Sequence, residues 1–181
     1  MHILGISGSP RRGSAAANLL GSVASIGDDQ VTMTIYESLI ELPHFSPELD
    51  IEPALDPIAE LRRQLRDADA IIICTPEYAF SMPSVLKNAL EWSVSSGEFN
   101  TKPTATISTS PLYGGGELAH QELLMVLKAV GAQIPEHGSV TVRNTRKRIT
   151  PEGTIVDAEL ERELHVLLEG LLSLARSKAD E

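Results

Sequence analysis

The stretch "ADAIIICTP", residues 68–76, decides the fold. From Ala70 through Cys74 it is apolar without alternation. A strand with one wet face alternates, so an unbroken run of this kind belongs to a sheet covered on both faces, as in parallel sheets flanked by helices. Pro76 ends it, because proline cannot donate to a sheet ladder. Helical patterns lie on both sides. In "PIAELRRQLRD", 57–67, Ile58, Leu61 and Leu65 share one face, and Pro57 suits a first turn. A second helix-like segment runs from about Pro83 to Ser95.

Outward from there the alternation repeats. Residues 2–7 read as a short buried strand, and 14–26 as a helix with Ser14 as N-cap and Gly27 past its end. "VTMTIYE", 31–37, is rich in β-branched residues and reads as a strand. "SLIELPHFSPELDIEP" follows as a long connection with three prolines and no period. "TATIST", 104–109, is a fourth strand, and "ELAHQELLMVLKAV", 117–130, a helix closed by Gly131. "SVTVRN", 139–144, is a fifth strand. The last helix spans 157–177, with Leu160, Leu164, Leu167, Leu168, Leu171 and Leu174 on the 3.6-residue period. Five strands alternating with five helices predict an α/β protein with a doubly wound sheet. No repeat or composition break interrupts it, so residues 1–181 read as one domain.

The chain has 181 residues, 42% of them hydrophobic, which is enough for one sizeable core. A formal charge of −10 argues against a nucleic-acid surface. No apolar run approaches the roughly 20 residues of a membrane span, and the N-terminus does not read as a signal peptide. Cys74 is the single cysteine, so no intramolecular disulfide is expected. Together these features point to a cytoplasmic protein.

Ligands of doubly wound sheets bind at the carboxyl ends of the strands. Three loops there carry chemistry. "GISGSPRRGS", 5–14, places serines, arginines and a helix start where one phosphate could sit, although an ordinary turn with a cap would look similar. It matches neither the P-loop nor the G-x-G-x-x-G dinucleotide fingerprint. "TPEYAFSMPSVLKNALEW", 75–92, sets Tyr78 and Phe80 beside rigid prolines; it suits a planar heterocycle, or simply a proline-stopped strand before a proline-started helix. "STSPLYGGGELAHQ", 108–121, has three glycines, which allow either a close backbone approach or a flexible connector. All three lie on one edge of the expected sheet.

The first two loops together resemble the NADPH-dependent FMN reductase family of the flavodoxin-like fold. The family's Gly-Ser-x-Arg-x-x-Ser is matched by Gly8, Ser9, Arg11 and Ser14. Its Pro-Glu-Tyr, Pro-x-x-Leu-Lys-Asn-Ala and acidic-Trp elements are matched by Pro76, Glu77, Tyr78, Pro83, Leu86, Lys87, Asn88, Ala89, Glu91 and Trp92. Ser110, Pro111, Gly114, Gly115, Ala119 and Gln121 resemble its third loop, and the likeness covers about residues 2 to 142. Departures are Ala16 and Ala79, where the family often has Asn, and Phe80, near the usual Gly.

The resemblance implies a three-layer sandwich around a five-stranded parallel sheet of order 2-1-3-4-5. It implies bound FMN, with NADPH or NADH as electron donor. Ser9, Arg11 and Ser14, with Arg12 beside them, would hold the phosphate. Pro76, Glu77, Tyr78, Ala79 and Ser81 would line the ribityl chain and ring, and Ser110 with the Gly114, Gly115 and Gly116 backbone its other side. The expected activity is hydride transfer through FMN to a small acceptor such as a flavin, quinone, azo compound or metal oxyanion, in a homodimer or homotetramer. An FMN-binding electron carrier and a flavin-free scaffold of the same fold are the alternatives. No catalytic side chain is expected, since the chemistry belongs to the flavin, and the five scattered histidines have no metal-ligand spacing. Three features stay open. Cys74 reads as a buried core thiol or a redox thiol. "RNTRKR", 143–148, reads as a solvated loop, a contact for the NADPH 2′-phosphate or an acidic partner's site. The face bearing Leu86, Leu90 and Trp92 reads as core, as a subunit interface, or as both.

Overall fold

Alternate residues of the central strands face opposite helix layers, which is why their sequences show no polar face. The computed structural model describes residues 1–27, 30–114 and 116–179. Five parallel strands, β1 (His2–Ser7), β2 (Thr32–Tyr36), β3 (Ala70–Pro76), β4 (Thr104–Thr109) and β5 (Ser139–Val142), form one sheet of order β2-β1-β3-β4-β5. In β3, Ala70, Ile72 and Cys74 pack toward α1 (Ala15–Ile26) and α6 (Ala158–Ala179). Ile71 and Ile73 pack the other way, toward α2 (Asp56–Asp67), α3 (Ser84–Glu91) and α4 (Glu117–Ala129). Each fully buried isoleucine contributes roughly 1.5–3 kcal/mol, so this strand anchors both halves of the core. Edge strand β2 alternates exposure, as a strand with one open side should.

The register brings Ser7 beside Cys74, and Thr75 beside Ser108, so the loops after β1, β3 and β4 leave the sheet at one level. Reversal of winding direction between β1 and β3 opens a crevice between the first two of them. Leu86, Leu90 and Trp92 are buried in the core, as is Cys74. The long connection is ordered by polar contacts. The Asn88 amide and the Trp92 indole both donate to the Pro43 carbonyl (2.9 and 2.8 Å), and the buried Arg62 guanidinium donates to the Trp92 carbonyl (2.8 Å) and Asp50 (2.8 Å).

Several boundaries differ from the sequence expectation. The helix expected to reach Ser95 ends at Glu91. Arg62 claims the Trp92 carbonyl there, and the chain tightens into turns with Ser93 N–H on the Leu90 carbonyl (3.2 Å). β5 ends at Val142 rather than 144, because Asn144 turns into the left-handed region (φ 49°), which asparagine tolerates. One further turn of helix follows, α5 (Thr145–Arg148), in the basic segment for which a solvated loop is one of three readings.

Candidate functional site

Gly8 opens the site. A Cβ there would lie 2.9 Å from the Leu86 side chain and 3.0 Å from the Thr75 hydroxyl, so only glycine lets the first loop run this close to β3. Its N–H donates to the Cys74 carbonyl (2.8 Å) and carries the ladder one residue past β1. Ser14 then caps α1: its side chain accepts from the Ala17 N–H (3.2 Å) and meets the Ser7 hydroxyl (3.3 Å). The Ser9 hydroxyl accepts from the Arg11 N–H (3.3 Å), which folds the loop back on itself. Ser9 and Ser14 are both buried, while Arg11 and Arg12 are exposed.

These residues form one end of a cleft of about 590 Å³. Ser9, Arg11 and Ser14 line that end, Pro76 and Tyr78 supply a flat side, and Thr109, Ser110 and Pro111 follow from the third loop. Among the described residues no Asp or Glu lines the cleft, although the chain carries a net charge of −10. A cleft with guanidinium at one end, a tyrosine face along its side and no carboxylate among its described residues suits a planar molecule bearing a phosphate.

The other expected site residues stand around the cleft rather than on its lining. Arg12 points into solvent. Glu77 reaches across to the start of α4, where one carboxylate oxygen accepts from the Leu118 and Ala119 N–H groups (3.0 and 3.2 Å). Glu122 on α4 reaches back, accepting from the Ser81 hydroxyl (2.5 Å) and the Met82 N–H (3.0 Å). Ala79 and Phe80 are the central residues of a tight turn closed by Tyr78 and Ser81, which bond each other at 2.9 and 3.1 Å. Both take positive φ (51° and 65°), and Phe80 is 77% exposed. Gly116, at φ +79°, turns the chain into α4, and Gly114 precedes it. Gly115 lies outside the described residues.

Sequence reasoning missed the fourth wall. Thr145, Arg146, Ile149, Thr150 and Pro151 line the cleft between α1 and the third loop. They are fastened at both ends. The Thr145 N–H and hydroxyl both donate to the Ser110 carbonyl (3.0 and 2.9 Å), and the Asn18 amide donates to the Pro151 carbonyl (2.7 Å). The run of basic residues from 143 to 148 was the available signal, but it does not say which of them turns inward. Arg143 pairs with Glu117, and Arg148 pairs with Asp157 (3.0 Å); of the basic residues in that run, Arg146 alone lines the cleft.

Beneath the third loop, the buried His120 imidazole meets the Ser108 hydroxyl (3.0 Å) and the Thr106 hydroxyl (3.1 Å), and burial holds its pKa below the usual histidine value. Burial also pushes the Cys74 thiol far above its ordinary value, so it has no thiolate to offer redox chemistry. Among the described residues, no group of three His, Cys, Asp or Glu side chains could hold a metal, and no helix is long and apolar enough to cross a membrane.

The family described as NADPH-dependent FMN reductase matches residues 1–147. The chain belongs to that family. It is therefore a flavin-dependent NAD(P)H oxidoreductase, and its fold is flavodoxin-like. The reductase is 27% identical to an NAD(P)H:quinone oxidoreductase of Solanum tuberosum, over 96% of this chain and 92% of that one. It is 28% identical to a 2-hydroxy-1,4-benzoquinone reductase of a Burkholderia species, covering 94% of each. Among solved structures, a flavoenzyme NAD(P)H:(acceptor) oxidoreductase from Paracoccus denitrificans superposes with a TM-score of 0.86 at 22% identity, over 97% of both chains.

Proposed function

We propose that the reductase holds FMN in this cleft and passes reducing equivalents from NAD(P)H to a quinone. The observation that carries the reading is a cleft lined by guanidinium, hydroxyl and aromatic groups and, among the described residues, by no carboxylate, inside an acidic protein. Ser9, Arg11 and Ser14 would take the phosphate at the head of α1, where the helix dipole adds to the arginine charge. Pro76, Tyr78 and Ser110 would lie along the ribityl chain and ring. Glu77 and Ser81 would act one step back, since their side chains are spent on fixing the 77–82 and 116–119 backbones that face the ring. When bound, FMN supplies the redox chemistry, accepting hydride and delivering electrons. The protein's share is to hold donor and acceptor in turn within roughly 3–3.5 Å of the reacting atom and to present backbone N–H groups to developing negative charge.

Quinone is the acceptor favoured by the names of both relatives given above, each of which matches over nearly the whole chain. Residues 1–181 would then form one FMN-binding domain. Its acidic composition and single buried cysteine suit the cytoplasm. The exposed Leu112, Tyr113, Leu118 and Met125, on the third loop and α4, would be covered in a homodimer or homotetramer.

Titration of the protein with FMN, followed by NADPH and then benzoquinone without oxygen, tests the reading. A shifted flavin spectrum, rapid bleaching by NADPH and recovery of colour on adding quinone are expected. Binding without bleaching would instead describe an electron carrier, and no spectral shift would describe a fold that has lost its flavin.

A further inference from the structure

Arg146 is one of only two cations on the cleft lining, the other being Arg11. Neither has an ion pair among the described residues, whereas Arg143 and Arg148, on either side of Arg146, both do. Unpaired guanidinium is out of place in a chain with ten more acidic than basic residues, unless an anion belongs there. The backbone that carries Arg146 is rigidly set. Thr145 before it is buried and bonded to the Ser110 carbonyl, and Ile149 after it is buried in the α1–α6 core. The next residues are tied to α1 through Asn18 and Pro151. The wall therefore meets the same first turn of α1 that the phosphate-binding loop feeds.

We infer that Arg146 is a second phosphate ligand, closing on the FMN phosphate from the α5 side while Arg11 and the serines hold it from the first loop. This rests on the FMN reading above and deepens it. A phosphate monoester carries nearly two negative charges, and two guanidiniums with no carboxylate beside them on the described lining match that charge. The same chemistry would also attract the phosphates of a nicotinamide nucleotide, so the test must tell the two apart. The segment also gives a physical reason for the alanine at position 16. The cation that grips the phosphate from the α5 wall supplies polar contact that the first loop of this chain has given up.

The experiment compares FMN with riboflavin, which lacks the phosphate. Equilibrium titrations would be run on the flavin-free wild type and on Arg146→Gln, Arg146→Lys and Arg11→Gln. Loss of one charge-assisted contact should weaken FMN binding by roughly 10- to 100-fold in Arg146→Gln, with riboflavin affinity changed less than about twofold. Arg146→Lys should recover part of the loss, and the salt dependence of FMN binding should be shallower in Arg146→Gln than in wild type. The side chain is exposed and unpaired, so the melting temperature of the flavin-free variant should match wild type. Unchanged FMN affinity in Arg146→Gln would overturn the inference, including the case where only KM for NADPH rises, which would give Arg146 to the nucleotide. A wild type that binds neither flavin would instead sink the FMN reading, and this inference with it.

Discussion

Glu77 lies on the second loop and Leu118 in the first turn of α4, and the Glu77 carboxylate accepts the Leu118 N–H at 3.0 Å. The same oxygen accepts the Ala119 N–H, so a side chain of the second loop caps the helix that follows the third. Glu122 returns the contact, holding Ser81 and Met82 from α4. Two carboxylates thus staple the second loop to the start of α4, each using the other segment's donors.

The first prediction concerns that staple. Glu77→Ala should cost about 1 kcal/mol of stability, the usual loss of a helix cap. It should weaken FMN binding more than this cost to the fold suggests, because the ring-facing backbone loses its anchor. Glu122→Ala should behave alike. The double variant should lose less than the sum of the two single losses, since both carboxylates fix the same pair of segments. Denaturant titration and flavin binding on the four proteins check this. Strict additivity would mean that the two contacts act independently.

The turn at Ala79 and Phe80 gives the second prediction. A side chain in the left-handed region costs roughly 1–2 kcal/mol, and two successive residues occupy it here. Asparagine and glycine are the residues such a turn favours. The double change Ala79→Asn, Phe80→Gly should therefore stabilise the protein by about 1 kcal/mol after allowing for the added freedom of glycine in the unfolded chain. The transition midpoint should rise with an unchanged slope. FMN affinity should stay within about twofold, because neither side chain lines the cleft and the turn keeps its backbone conformation. A fall in stability would show that the Phe80 ring makes contacts worth more than the strain.

What the sequence disclosed follows from where physical constraint is local. The β3 run announced a doubly covered strand, and Ser14, Gly27 and the leucine period of α6 marked their helices, because caps and periodicity depend on nearest neighbours. The glycine at position 8 was visible as a loop residue, but its clash partners, Thr75 and Leu86, come from a distant part of the chain. The roles of Glu77 and Ser81 were hidden for the same reason. Their side chains look like ligand contacts in a motif, and only the approach of α4 shows that they are used by the protein itself. The α5 wall was least legible. Four basic residues in a run of six look alike until the fold pairs Arg143 with Glu117 and Arg148 with Asp157.

Cys74 supports a third prediction. The thiol is fully buried on β3, under α1 and α6, and burial disfavours its charged form. A thiol-alkylating reagent at neutral pH should leave the folded protein unmodified over hours and label it stoichiometrically in denaturant. Activity should survive the treatment. Rapid labelling of the native protein would mean that the sheet opens near its flavin edge.

The fourth prediction is a pH dependence. The His120 ring is buried against Thr106 and Ser108, and Thr106 passes the contact on to the Ser139 hydroxyl (2.9 Å). Burial keeps the folded pKa below the ordinary 6.5. As pH falls, the unfolded chain therefore takes up a proton at this position before the folded one does. The folded state loses stability in that interval, since stability rises with pH wherever the unfolded state binds more protons. Stability from this source is complete above pH 6.5 and declines as the pH drops toward the folded value. Replacing the ring by Gln, which can both donate and accept, should remove the dependence at some cost in packing. Denaturant midpoints measured at pH 7.5 and at about 5.5, above the range where most carboxylates titrate, should therefore differ more in wild type than in His120→Gln. Equal differences would place the acid sensitivity of the protein elsewhere.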